Sequence, residues 1–143
     1  MRNNPTNHYD KRIARVCEYI NQNLNEDLTL ERMSDVAAFS KYHFHRVFVA
    51  YTGMSVTRFI QLTRLKRASY RLAFESEKRV IDIALEAGFE SPEAFARAFK
   101  RTFDQSPSEF RGEPNWPEWH LRFQFQPKPY GDILMNVNVI QFE

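Results

Sequence analysis

Cysteine is nearly missing from this sequence. Cys17 is the only one among 143 residues, which excludes an internal disulfide framework and suits a reducing cytoplasm. No stretch of about 18 apolar residues occurs, so no membrane helix is expected. A basic-then-apolar leader is lacking too, and with it the mark of a secretory signal. Charge of one sign is scarce, since the overall balance is +2, and net charge alone therefore says little about partners. The phosphate-binding G-x-x-x-x-G-K-[ST] loop, the dinucleotide G-x-G-x-x-G and the nucleophile elbow G-x-S-x-G are all absent. Nor do the histidines form a ligand set: His43 and His45 are two apart on an expected helix and diverge, while His8 and His120 have no ligand spacing near them. These absences argue against an enzyme and against a resident metal or cofactor, and none is expected. What is left, 43% apolar and 27% charged residues, is an ordinary globular composition with enough chain for one or two small cores.

What the sequence does have is a repeat. Ala37-Ala38-Phe39 recurs as Ala87-Gly88-Phe89 at an offset of 50, and Phe44-x-Arg46-x-Phe48 recurs as Phe95-x-Arg97-x-Phe99 at an offset of 51. One residue has been added in the turn between. The offset of 51 then persists through Ser55/Ser106, Val56/Pro107 and Phe59/Phe110, so two copies of one small unit are expected.

The second copy shows the design most plainly. Ile81, Ile83-Ala84 and Ala87 mark a short helix, Gly88 supplies a turn that tolerates positive φ, and Ser91-Pro92 opens a new helix with a capping hydroxyl and a proline at its first position. Along that helix Phe95, Ala98-Phe99 and Thr102-Phe103 recur at three and four residues and form the buried stripe. Its outer face carries Pro92, Glu93, Ala96, Arg97, Lys100 and Arg101. Such a face, small at its start and basic at its end, suits a helix whose first turns enter a DNA groove and whose later residues meet phosphates. The unit reads as a helix-turn-helix. In the first copy Thr29 caps residues 30–37 and Ser40 caps residues 41–51. Phe44, Val47-Phe48 and Tyr51 point inward there, against Lys41, Tyr42, His45, Arg46 and Val49 outside.

Around these units the chain reads in order. Residues 1–7 form a polar, flexible arm. Residues 8–53 hold a scaffold helix, with Ile13, Val16-Cys17, Ile20 and Leu24 as its stripe, and then the first helix-turn-helix. Cys17 belongs to that stripe and is read as packing. Residues 54–74 form a linker helix with Arg58, Arg64, Lys66, Arg67 and Arg71 and no acid among them; a solvated face explains such a run on its own, but between two helix-turn-helix units phosphate contact by some of these side chains is favoured. At ~1.5 Å per residue it spans ~27 Å, of the order of the ~34 Å between successive major-groove faces. The second helix-turn-helix fills residues 75–111 and closes with the capping box Ser106-Pro107-Ser108-Glu109. Residues 8–111 hold 17 Lys and Arg against 14 Asp and Glu, whereas residues 112–143 hold 2 against 4. In this last part Pro114, Trp116, Pro117 and Trp119 interrupt helical periodicity. Leu121-x-Phe123-x-Phe125 and the apolar run from Ile133 to Ile140 then read as strands, separated by the turn-rich segment 127–132. The expected fold is therefore all-α, two homeodomain-like helix-turn-helix subdomains joined by a long linker helix, with a short β-rich C-terminal tail. A strand pattern running to the last residue suggests a fragment, or strands that pair with another chain.

The pattern Ile81-x-Ile83-Ala84-x-x-x-Gly88-Phe89-x-Ser91-x-x-x-Phe95-x-Arg97-x-Phe99-Lys100-x-x-Phe103-x-x-Ser106-Pro107-x-x-Phe110-Arg111, together with Arg64-Leu65-x-x-Ala68, resembles the signature of the AraC/XylS family of bacterial transcription regulators. The resemblance covers residues 13–111. It implies major-groove binding to double-stranded DNA by the third and sixth helices, and transcriptional control that is usually activation through contact with RNA polymerase, in the cytoplasm at the nucleoid. On the matching positions the base-reading residues are Tyr42, His45 and Arg46 in the first unit and Pro92, Glu93, Ala96 and Arg97 in the second. Ser40, Lys41, Arg64, Ser91, Lys100 and Arg101 are expected at phosphates. Arg46 suits guanine N7/O6, with a phosphate or an internal ion pair as its alternatives. Glu93 lies one helical turn before Arg97 and is placed to pair with it. Two positions depart from the pattern: Ala38 stands where a glycine is common, and Asp104 replaces the usual glycine before Gln105-Ser106-Pro107. The tail is similar to the opening strand of the GyrI-like sensor domain of some AraC-type regulators, which implies a small-molecule effector bound by a further C-terminal domain. The alternative is a helical protein-interaction module that uses the same exposed faces without reading DNA.

Overall fold

A computed structural model describes residues 5–123 of the chain. Among these residues the regular structure is eight helices and no strand: α1 (Pro5–Gln22), α2 (Leu30–Ala37), α3 (Lys41–Thr52), α4 (Val56–Phe74), α5 (Val80–Glu86), α6 (Pro92–Phe103), α7 (Pro107–Gly112) and α8 (Trp116–Arg122). Their starts follow the hydroxyl and amide side chains. The Thr29 hydroxyl accepts from the Arg32 N–H at 3.0 Å, Ser40 from His43 at 3.2 Å, Ser55 from Arg58 at 3.1 Å and Ser91 from Ala94 at 3.1 Å. Each bond satisfies a donor that the first helical turn leaves open. At α7 the box is reciprocal, since the Ser106 N–H also donates to Glu109 Oε1 at 2.8 Å.

The chain divides into two compact units within α4, after Ile60. In the first unit α1, α2 and α3 enclose Ile13, Val16, Ile20, Met33, Phe44 and Phe48, all fully buried, and the start of α4 adds Val56, Phe59 and Ile60. The second unit repeats the plan with the rest of α4, α5 and α6, around Leu65, Leu72, Ile83, Phe95, Phe99 and Phe103. Its rings form a continuous edge-and-tilt series, with Phe95 to Phe99 at 5.5 Å and Phe99 to Phe103 at 4.6 Å, in the range where aromatic pairs add to simple burial. Arg111 on α7 donates to the carbonyls of Leu72 and Glu75, both at 3.0 Å, and so closes the C-terminal end of α4.

Two expectations change. The first helix begins at Pro5, so residues 5–7 belong to α1 rather than to a flexible arm. The larger change is at the C-terminal end, where the β-rich tail is not supported. Residues 116–122, expected to break helical periodicity and begin a strand, form α8. Asn115 caps it, accepting from the Glu118 N–H at 3.2 Å, and Pro117 sits in the first turn, where a missing N–H is no loss. Burial of Trp119, only 3% exposed, then fixes the helix against the second core, with its indole N–H donating to the Ser69 hydroxyl at 2.8 Å. Arg122 adds a bond from Nε to the Thr102 carbonyl at 2.6 Å. The remaining strand expectations, Phe125 and residues 133–140, lie outside the described residues.

Candidate nucleic-acid interface

Each unit presents one helix with a buried face and an exposed face. On α3, Phe44, Val47, Phe48 and Tyr51 are buried, while Lys41, Tyr42, His45 and Arg46 are exposed, Tyr42 by 73%. The spacing of three and four residues that buries one set necessarily turns the other outward. On α6, Phe95, Ala98, Phe99, Thr102 and Phe103 are buried; Glu93, Arg97, Lys100 and Arg101 are exposed, and Pro92 and Ala96 are half-buried beside them. Within each unit, the side chains expected to read bases therefore share one face of one helix.

The chemistry of the two faces differs. Lys41 and Arg46 stand on a helix with no acid along its length, and the Arg46 guanidinium lies 5.7 Å from the Tyr42 ring centroid. That contact holds the arginine along the helix without engaging its N–H donors. In α6 the acid comes first, at Glu93, and the bases last, at Lys100 and Arg101, the order the helix dipole favours. Glu93 and Arg97, one helical turn apart, are both exposed. Lys100 is 3.8 Å from Glu109, and that carboxyl is held below its usual range first by the Ser106 N–H and next by Lys100. His43 is exposed but its ring stands against Phe39 and Tyr9, at 4.8 and 5.7 Å.

Not every residue expected at phosphates points freely outward. Ser40 and Ser91 both use their hydroxyl oxygens as helix caps, which leaves each hydroxyl proton as a donor. Arg64 is half-buried against the turn between α5 and α6: a Cβ on Gly88 would lie 3.4 Å from its Nη1 and 3.5 Å from its Cζ. Elsewhere in the basic run of α4, Arg71 pairs with Glu86, which also holds Lys78 at 3.0 Å. Lys66 is only 6% exposed, with its ammonium 5.3 Å from the Trp119 ring and 4.5 Å from that of Phe123. Burial lowers its pKa to about 7. The sequence favoured phosphate contact by some side chains of that run, and packing has divided it.

The turns themselves are tight. Ala38, which ends α2, has φ 61°, and its counterpart Gly88 has φ 87°. Asp104, which ends α6, has φ 61°, and its counterpart Gly53 has φ 80°. All four are left-handed, and the two departures from the expected glycines are the two non-glycine residues with positive φ among the described residues. The Ala38 turn has a brace that sequence inspection missed. Arg12 on α1 donates from Nε to the Ala37 carbonyl at 2.7 Å and from Nη2 to the Ala38 carbonyl, and its Cζ sits 3.7 Å from the Phe39 ring centroid. The signal for it was present: at an offset of 52, Arg12 matches Arg64, Ile13 matches Leu65, Val16 matches Ala68 and Ile20 matches Leu72.

Two three-helix units, each with a capped helix that follows a left-handed turn and exposes its polar face, define a protein built from paired helix-turn-helix motifs. The helix-turn-helix domain family matches residues 33–113, and the chain belongs to it, in its AraC-type branch. Among sequence relatives, the uncharacterised HTH-type transcriptional regulator YbfP of Bacillus subtilis (strain 168) is 40% identical over 104 residues, which are 73% of this chain and 35% of YbfP. An uncharacterised HTH-type transcriptional regulator of Staphylococcus aureus is 35% identical over 104 residues, or 73% of this chain and 14% of that protein. The chain thus spans about a third or less of these relatives. Among solved structures, the DNA-binding domain of AdpA, a global transcriptional factor in complex with a target DNA, superposes with a TM-score of 0.65 at 28% identity, covering 71% of this chain and 90% of that one. A probable AraC family transcriptional regulator from Rhodopseudomonas palustris CGA009 superposes at 0.66 with 27% identity, covering 73% and 97%.

Proposed function

We propose that this chain is the DNA-reading part of a bacterial transcription regulator, placing α3 and α6 in adjacent major-groove segments of one duplex. One observation carries the reading. In both units the helix that follows the turn buries its entire apolar face and leaves outside it a compact set of base-reading side chains, Tyr42, His45 and Arg46 in one and Pro92, Glu93, Ala96 and Arg97 in the other. Tyr42 and Arg46 favour acceptors such as guanine N7/O6, whereas Glu93 accepts from cytosine N4 and Ala96 suits a thymine methyl. Because the two faces differ, the preferred site is asymmetric, and a single chain reads it. Lys41, Lys100 and Arg101, with the Ser40 and Ser91 hydroxyls, supply the contacts to phosphate that set register. The protein acts by binding rather than by catalysis, in the cytoplasm at the nucleoid. Activation through RNA polymerase and control by a small-molecule effector bound to a domain outside residues 5–123 complete the proposal. A GyrI-like sensor is the form that domain would take.

Selection from random duplexes tests it. The expected product is one asymmetric motif whose affinity falls steeply with salt, by a log-log slope of about −0.9 per phosphate neutralised. Arg46→Ala and Arg97→Ala each relax preference at their own position, and Lys100→Ala weakens all sequences alike. A chain that enriches no motif, and binds duplexes without salt dependence, would be a protein-binding module instead.

A further inference from the structure

The geometry points to Arg12 and Arg64 as a pair of positioning residues, one per unit, that clasp the turn in front of each reading helix rather than neutralise phosphates. The inference rests on the DNA-reading function proposed above and adds to it two residues outside the exposed helix faces. Arg12 comes from the first helix of the first unit and Arg64 from the equivalent helix of the second, at matching places in the repeat. Arg12 spans two carbonyls, those of Ala37 and Ala38, and stacks on Phe39, the three consecutive residues that carry the chain from α2 toward α3. The planar fork with a flat face is what this demands, since Nε and Nη2 donate in one plane while the ring lies against it. Arg64 lies against the equivalent turn of its unit, with Cδ, Cζ and Nη1 all within 3.4–3.6 Å of where a Gly88 side chain would begin.

A turn with φ of 61° or 87° is the point where a few degrees of backbone rotation are amplified along the helix that follows. The outer residues of α3 lie one to two turns beyond Ala38, at Tyr42, His45 and Arg46. A guanidinium tied to two carbonyls at the pivot therefore fixes where those side chains arrive, and it does so through the backbone. Ala38 makes the clasp more necessary in the first unit, because an alanine resists this conformation and a glycine does not.

Charge-preserving substitution separates the clasp from a phosphate contact. Lysine keeps the positive charge but lacks the fork and the flat face. If Arg12 clasps, Arg12→Lys and Arg12→Gln both lose affinity about tenfold or more for the selected site, blur preference at the positions read by α3, and leave the salt slope at the wild-type value. In the free variants, amide hydrogen exchange speeds up at Phe39 and along the first turn of α3, while α5 and α6 keep wild-type protection. Arg64→Lys mirrors this at Phe89 and α6. The clasp is overturned if Arg12→Lys binds like wild type with a slope reduced only in Arg12→Gln, or if exchange at the turn is unchanged. If the wild-type chain selects no duplex, the function is what has failed, and exchange in the free protein still reports on the clasp.

Discussion

The two units share a plan and divide its costs differently. Each has two left-handed turns, one before and one after its reading helix; the first unit uses alanine then glycine, Ala38 and Gly53, and the second uses glycine then aspartate, Gly88 and Asp104. Aspartate tolerates that region better than alanine because its short polar side chain bonds locally, so the most strained of the four turns is Ala38. It is also the turn at which Arg12 donates two hydrogen bonds, to the carbonyls of Ala37 and Ala38. The reading helices differ in the same spirit, α3 opening with cationic and aromatic side chains and α6 with proline and an acid. Similar scaffolds thus carry unlike probes, and the comparison teaches that the scaffold is set by the buried stripe while the probe is free to vary on the other face. In the second unit α7 repeats the start of α4, with Phe110 in the place of Phe59, and the addition is α8, which lays Trp119 over the core with Phe123 just after it.

The comparison is broken most forcefully from within the cores. Phe48 and Phe99 are equivalent and fully buried, so Phe48→Ala and Phe99→Ala each cost about 3–5 kcal/mol. Both tryptophans belong to the second unit, and tryptophan fluorescence in urea therefore reports that unit. Phe99→Ala moves the fluorescence midpoint, whereas Phe48→Ala moves the far-UV circular dichroism and leaves fluorescence in place. Shifts that coincide by both probes in both variants would mean that the units unfold as one.

A second asymmetry is electrostatic. Burial holds the folded pKa of Lys66 down to about 7 against an ordinary 10.5, despite the two aromatic rings that favour its charge. The unfolded chain then binds more protons than the folded one between those values. Stability of the second unit accordingly rises with pH from about 7 to about 10.5, and is lowest below 7, where the buried ammonium is charged in both states. Lys66→Met should flatten that slope in fluorescence-monitored unfolding, and a slope that survives would assign it to another group.

Smaller effects sharpen the contrast between the probes. Arg46→Ala is expected to cost ~1–3 kcal/mol at one base position, measured by competition between the selected duplex and its single-position variants. A loss spread evenly over all variants would move Arg46 to the phosphates. Smallest is the turn itself: Ala38→Gly relieves left-handed strain and raises stability by roughly 0.5–1 kcal/mol, while Gly88→Ala lowers it by about 1 kcal/mol or more. Shifts of opposite sign in thermal midpoint, up for Ala38→Gly and down for Gly88→Ala, would confirm that the two turns are the same structure with different residues.

Much of this was legible in the residues. Every stripe position from Ile13 to Leu24 and from Phe95 to Phe103 that was expected inside is inside. Thr29, Ser40, Ser91 and Ser106 cap the helices they were expected to cap. The unusual residues Ala38 and Asp104 proved to be the strained ones. The C-terminal helix α8 is not legible locally, because Pro117 is compatible with a helix only in its first turn and Leu121 and Phe123 alternate as in a strand.

The sequence by itself determined where helices start, which face of each is apolar, and that the unit is built twice, because capping and helical period act within a few residues of chain. Only the tertiary structure decided the fate of the charges. Arg12, Arg64, Lys66 and Arg71 read alike as basic side chains on helices, yet one clasps a turn, one backs a glycine, one is buried under α8 and one pairs with Glu86. What surrounds a long cationic side chain is set by segments far away in sequence, and no local pattern records it.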